Sequence, residues 1–327
     1  MEELQRNPME FHGGTFREMR SPDSEANEMA GSTIPKRAFG RFLRGLREQA
    51  GATLLMASLQ LDTSKQTVLR LEDGQPTKLS TPQLKSLLDL YKVNPSVRKE
   101  ALELWHEVRR QDQAAKLQGT YKGWWQAYAD QYAPHFNHYM RLEERANRLS
   151  THQLALVHGL MQTPQYRRAI IERTEPGVSE VDMDRRLELA ARRQERLADK
   201  DFHLDVLLSE AVLRHRIRDS QIMAGQLRHL AEISSRSNVS LRVIPFSADM
   251  NIGVAFQSFT LLEFPHLAIN LVEPPVIYVE GTEGALYLEQ TNAIVRFRAA
   301  ITGIREVALN ESDSRNLVSK IAKEYEA

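Results

Sequence analysis

From Pro35 onward the chain carries apolar residues at helical spacing. PKRAFGRFLRGLREQAG sets Phe39, Phe42, Leu43 and Leu46 on one face and arginines on the other, and Gly51 ends the pattern. TLLMASLQL and TSKQTVLRLEDG predict two further short helices, separated by Asp62, the second capped by Thr63 or Ser64. Thr81-Pro82 opens a fourth helix, TPQLKSLLDLYKV, with proline in its first turn, and Asn94-Pro95 opens a longer one to about Lys116. Five helices over residues 34–117 predict an all-α module. The residues ahead of it, 1–33, hold Pro8, Gly13, Gly14, Pro22 and Gly31 without sustained apolar periodicity and are expected to be a disordered leader.

Beyond residue 118 the pattern changes. QGTYKGWWQAYADQYAPHFNHY (118–139) is dense in aromatics, and packing in a core or between domains is the expectation for it. Helices are predicted at about 141–150, 164–173 and 180–199. After Asp201, FHLDVLLS, VSLRVIPF, FQSFTLLEF and VIYVEG are β-branched or aromatic runs bounded by turn formers, and they predict four strands. Helices at about 210–217 and 220–235 fall between the first two strands, and two more, about 290–309 and 312–325, close the chain. The predicted architecture is an N-terminal all-α domain of five helices (34–117) followed by a mixed α/β domain (118–327) with a small sheet of about four or five strands.

Composition narrows the function. The 327 residues are 42% apolar and 26% charged, an ordinary globular mixture. Cysteine is absent, which excludes disulfides, thiol catalysis and cysteine-ligated zinc. No apolar run approaches the ~20 residues of a membrane span, and the N-terminus lacks a secretory signal, so a cytoplasmic protein with no membrane partner is expected. The net charge of zero hides an asymmetry: residues 1–35 hold seven acids and three arginines, whereas residues 36–91 hold nine bases and five acids.

Thr53 to Gly74 is the strongest constellation, because two short helices joined by a tight turn match a helix-turn-helix. Val68 and Leu71 supply the inner face of the second helix. Ser64, Lys65, Gln66, Leu69 and Arg70 supply an outer face able to reach DNA: Ser64 as cap and phosphate contact, Gln66 or Arg70 bidentate to a purine edge, Leu69 against a thymine methyl. A single such motif covers one half-site, so a homodimer on a double-stranded operator is the expectation. The remaining signals are bland. His135 and His138 lack a third ligand, and Gly281-Thr-Glu-Gly284 reads as a hairpin turn. Arg185, Arg186, Arg192, Arg193 and Arg196 alternate with Glu188 and Glu195 as a solvated, ion-paired face. Glu273, Glu280, Glu283 and Glu289 have no partner for acid–base work. No enzyme, cofactor or metal site is predicted.

GATLLMASLQLDTSKQTVLRLEDG resembles the helix-turn-helix of the phage-repressor-like (XRE) regulators: Thr53 starts helix two, Leu61 precedes the turn, Ser64 caps the recognition helix, and Arg70-Leu71-Glu72 is followed by Gly74. Leu54 stands where these proteins usually have a phosphate-contacting glutamine, Asp62 where the turn often has glycine, and Leu55 and Met56 replace an exposed polar pair. GWWQAY, GLMQTPQY, SEAVLRHRI, MAGQLRHL, VSLRVIPF, FTLLEF and VIYVEG resemble the DUF5753 domain of WhiJ-like, antitoxin-like actinomycete regulators. The resemblance implies a repressor or antitoxin-like regulator whose C-terminal domain binds an effector or a small DUF397/BldB-like partner. The alternative reading is a protein-interaction antitoxin that sequesters that partner, with DNA binding secondary or lost; the apolar helix two, Leu54, Leu55, Met56 and Leu59, motivates it.

Overall fold

The computed structural model describes residues 34–75, 77–117, 123–217, 219–265, 273–281 and 284–326. The predicted leader, 1–33, and Glu283 lie outside the described residues. Five helices come first: α1 (Ile34–Gln49), α2 (Leu54–Gln60), α3 (Lys65–Glu72), α4 (Thr81–Leu90) and α5 (Pro95–Leu117). They share one core, in which Phe39 and Leu43 of α1 meet Ala57, Val68 and Leu71 of the helix pair and Leu84, Leu87 and Leu88 of α4. Phe39 stacks on Trp105 of α5 at 5.3 Å between ring centroids. Local chemistry fixes the starts: Ser80 and Gln83 form a reciprocal capping box at α4, with Pro82 in the first turn.

The mixed region follows as a 3₁₀ turn (Trp124–Gln131), α6 (Phe136–Arg145), β1 (Arg148–Gln153), α7 (Pro164–Thr174), α8 (Glu180–Gln194), β2 (His203–Ser209), α9 (Glu210–Arg214), α10 (Ser220–Ile233), β3 (Val239–Ile244), β4 (Phe259–Glu263), β5 (Val276–Gly281), β6 (Gly284–Leu288), α11 (Thr291–Val307) and α12 (Glu311–Glu326). The six strands form one sheet in the order β3-β2-β1-β4-β5-β6. β1, β2 and β3 run parallel through helical crossovers, and β4, β5 and β6 add antiparallel on the other side of β1. The two faces alternate as the strand period demands. Leu204, Val206 and Leu208 of β2 face a core shared with α10 and α12, whereas Leu207 faces Ile294, Ile301 and Ile304 of α11.

Two strands escape the sequence patterns. The helix predicted at 141–150 is α6 ending at Arg145, and its second half is β1, the central strand of the sheet. RLSTHQ holds a single aliphatic residue, so neither an apolar run nor an alternation marks it. Ser150 and Thr151 find partners on the neighbouring strands instead: Ser150 Oγ donates to Asp205 at 3.4 Å, and Thr151 Oγ1 donates to the Phe259 carbonyl at 3.0 Å and lies 3.0 Å from Thr260 Oγ1. The second, β6, pairs antiparallel with β5 as far as Gly281 opposite Gly284, and residues 282–283 of the predicted turn lie outside the described residues. The helix predicted at 180–199 leaves α-geometry at Gln194 and ends in a 3₁₀ turn over Glu195–Ala198.

Candidate nucleic-acid interface

The helix-turn-helix is set by its caps. Thr53 Oγ1 accepts from the Met56 amide at 3.2 Å and starts α2, and Ser64 Oγ accepts from the Thr67 amide at 3.1 Å and starts α3. Between them Asp62 takes φ 50°, the left-handed conformation that glycine usually supplies and aspartate tolerates. Val68 and Leu71 are buried against α1 and α2, so the opposite side of α3 is turned outward. Ser64, Lys65 and Gln66 are exposed at its N-terminus, and Leu69 and Arg70 are half-buried a turn later. The five side chains singled out in the sequence thus lie on one short helix and its cap, three of them fully presented to solvent. The partial positive charge of the helix N-terminus adds to Lys65 there.

What holds α3 at its angle is an ion-pair clamp that the sequence reading missed. Glu72, at the end of α3, is 1% exposed. Arg47 of α1 meets it with two bonds, Nε to Oε1 at 2.6 Å and Nη2 to Oε2 at 2.9 Å, and Arg44 Nε adds a third at 3.3 Å. Arg44 also reaches Asp73 at 2.5 Å. Gly40 makes the close approach possible: a Cβ there would lie 2.4 Å from the Leu71 carbonyl oxygen and 2.6 Å from that of Glu72. The signal was present as Arg44 and Arg47 on α1 with Glu72 after the recognition helix, but pairing across more than twenty residues has no local periodicity.

The same helix is joined to the mixed region. Arg41 reaches Glu273 at 3.0 Å and Glu289 at 3.2 Å, and the buried Arg37 pairs with both carboxylates, lying 3.5 Å from Glu273. Burial draws the Arg37 guanidinium down to a pKa of about 10 and pushes the Glu273 carboxyl up, in each case against the pull of the opposite charge. Gly74, at φ 68°, lets the backbone turn directly over Arg37. Four arginines of α1 are therefore engaged within the molecule and do not form a solvated basic face. Lys65 at the start of α3, Lys78 ahead of α4 and Lys85 within α4 are exposed.

Leu55, Met56 and Leu59 form an exposed apolar strip on α2, with Leu59 73% accessible, while Ala57, Ser58 and Leu61 face inward. In the mixed region the arginine run over residues 185–196 is only in part the solvated, ion-paired face expected of it. Arg193 is buried on Glu143, Arg192 lies over Trp124 at 4.5 Å, Arg196 lies over Phe202 at 4.6 Å, and Arg185 and Arg186 pair with Asp130 and Glu175. Among the described residues no helix is long and apolar enough to cross a membrane.

The comparisons agree with both halves. A family model for a helix-turn-helix domain matches residues 38–101, and one for a domain of unknown function, DUF5753, matches residues 136–320. No curated protein and no solved structure matches the chain.

Proposed function

We propose, from the premise that the chain belongs to the DUF5753 family and carries a helix-turn-helix ahead of that domain, that it is a sequence-specific transcriptional regulator of the repressor type. The observation that carries the reading is the capped, outward-facing N-terminus of α3, where Ser64, Lys65 and Gln66 stand exposed on a helix clamped from behind by Arg47 and Glu72. In the major groove such an end meets base edges first. Gln66 has the paired donor and acceptor that match adenine, Lys65 and Ser64 suit phosphate, Leu69 suits a thymine methyl, and Arg70 reaches base or backbone. A homodimer would place two copies of α3 on half-sites about 34 Å apart. The protein acts in the cytoplasm, and its mixed region senses an effector or a small partner protein.

A second reading rests on the apolar strip of α2. Leu55, Met56 and Leu59 are exposed where a solitary DNA-binding module has no use for them, and they suit contact with a small DUF397/BldB-like protein in an antitoxin-like role. Retardation of a DNA fragment from upstream of the protein's own reading frame separates the two. A shift that survives excess random duplex is expected; no shift at low salt would overturn DNA-binding regulation and leave the protein-interaction role.

A further inference from the structure

The sheet places a crevice where its connections diverge. From β1 the chain moves to one side through β2 and β3, while β4 lies on β1's other edge. In open α/β sheets ligands bind beyond the carboxyl end of the strand at such a switch point. Gln153, the last residue of β1, opens onto a cavity of about 210 Å³ roofed by the loop that follows β1 and floored by the start of β4. That is smaller than the ~300–1,000 Å³ of pockets for drug-sized ligands, so the occupant is a fragment-sized molecule.

Its charge is selective. Arg193 lines the cavity, but Glu143 already holds it with bonds of 2.7 and 2.8 Å, and Phe136 and Tyr139 flank the guanidinium at 5.2 and 5.9 Å. The pair leaves no surplus positive charge for an anion. His158 adds none, because burial lowers its pKa to about 4 and keeps the ring neutral. With Arg193 matched by Glu143, the remaining charge of the lining is that of Glu280, exposed at the rim on β5 and acting electrostatically on Arg193. The neighbouring polar groups are acceptors or can serve as such. Gln153 Nε2 is engaged on Thr151 Oγ1 at 2.7 Å, which leaves Oε1 to accept. The buried Tyr278 hydroxyl faces the Glu280 carboxylate, to which it can donate while its own oxygen accepts. Tyr139 and Phe259 supply aromatic wall.

We propose that this crevice binds a small organic amine, its ammonium group held by Glu280, Gln153 Oε1 and the Tyr278 hydroxyl, its apolar body against Tyr139 and Phe259. An anion would be repelled by the Glu280 carboxylate, whereas an ammonium group gains an ion pair with it that a neutral molecule does not. The site also reaches the joint with the helix-turn-helix: Tyr278 packs on Tyr287 at 5.2 Å, and Tyr287 on His138 at 4.5 Å, beside the Arg37 clasp. It gives the sensing role proposed for the mixed region a ligand class, and rests on that reading for its effect on DNA.

The test uses the full chain and three probes of one skeleton: 2-phenylethylamine, 2-phenylethanol and 3-phenylpropionate, titrated calorimetrically with thermal unfolding in parallel. The amine is expected to bind in the millimolar range or tighter, at least tenfold better than the alcohol or the acid, and to raise the unfolding temperature. Glu280→Gln should weaken the amine at least tenfold without changing the unliganded unfolding temperature, and Tyr278→Phe should weaken it several-fold. Binding of none of the three, equal binding of the acid, or amine binding undiminished in Glu280→Gln overturns the site. Retardation of the upstream DNA fragment is measured on the same preparation. Retention of the DNA shift with no amine binding refutes the site alone. Amine binding that leaves the shift unchanged supports the site and refutes its link to regulation.

Discussion

In the helical region Arg44 and Arg47 reach Glu72 from outside, and the result is a firmly held convex surface: the bonds lie behind α3 while Lys65 and Gln66 stand in front. In the mixed region Arg193 and Glu143 are both inside, 6% and 3% exposed at their side chains, and they border a concave space. The same pairing of guanidinium and carboxylate serves a surface in one place and a cavity in the other. Arg44, about a third exposed, can be hydrated when its carboxylate is lost, whereas Arg193 is buried and would be stranded. These two arginines should therefore respond differently to loss of their partners.

The largest effect is expected from Glu143→Gln, which strands the Arg193 charge and should cost about 3–5 kcal/mol in urea unfolding. The double change Glu143→Leu with Arg193→Met should recover most of it, since neither charge then remains inside. A single-variant loss below about 1 kcal/mol would show that Arg193 finds water, and the contrast between the regions would fail. Next comes pH. His158 has its pKa lowered from 6.5 to about 4 by burial, so the unfolded chain takes up a proton there that the folded one refuses. Stability is whole above pH 6.5 and falls as the pH drops towards 4, by about 3 kcal/mol for this one group. His138 and His152, also lowered by burial, act in the same direction. His158→Asn should flatten the acid slope of the unfolding curve by close to one proton; an unchanged slope would show that His158 is hydrated in the folded state.

The helical region was readable because its logic is local. Caps at Thr53, Ser64 and Ser80, the inward Val68 and Leu71, and the left-handed Asp62 all follow from residues within one turn of each other. The clamp on Glu72 and the clasp on Glu273 and Glu289 were not readable, since each joins residues that only the tertiary fold brings together. The same reason hides β1. A strand flanked on both edges can carry serine, threonine and histidine when neighbouring strands supply their partners, and such a strand has no apolar signature. Arg193 illustrates the cost of reading charge by spacing: Glu188 and Glu195 lie nearby in sequence, yet its partner is Glu143, fifty residues earlier on α6. The cavity, assembled from β1, the loop after it, α6, α8 and the β4–β5 pair, lies wholly on that non-local side.

Smaller effects on stability are expected where side chains face solvent. Leu59→Glu, on the exposed strip of α2, should change unfolding free energy by less than about 0.5 kcal/mol. Sedimentation should show the change elsewhere, as a lighter species if the strip joins two copies or holds a partner. A variant that unfolds, or one whose mass is unaltered at every concentration, would remove the strip from any interface.

The central claim is that the N-terminal face of α3 reads DNA, and a salt titration tests it most directly. The unmodified chain, Lys65→Ala and Gln66→Ala are each titrated onto the upstream fragment and onto a scrambled duplex of the same length. Lys65→Ala should weaken both duplexes by similar factors and lower the salt slope by about one unit, as loss of one phosphate contact requires. Gln66→Ala should weaken the upstream fragment alone, by about 1–3 kcal/mol, and leave the slope unchanged. If the unmodified chain binds both duplexes equally, or if neither substitution alters its binding, α3 does not read DNA and the account is contradicted.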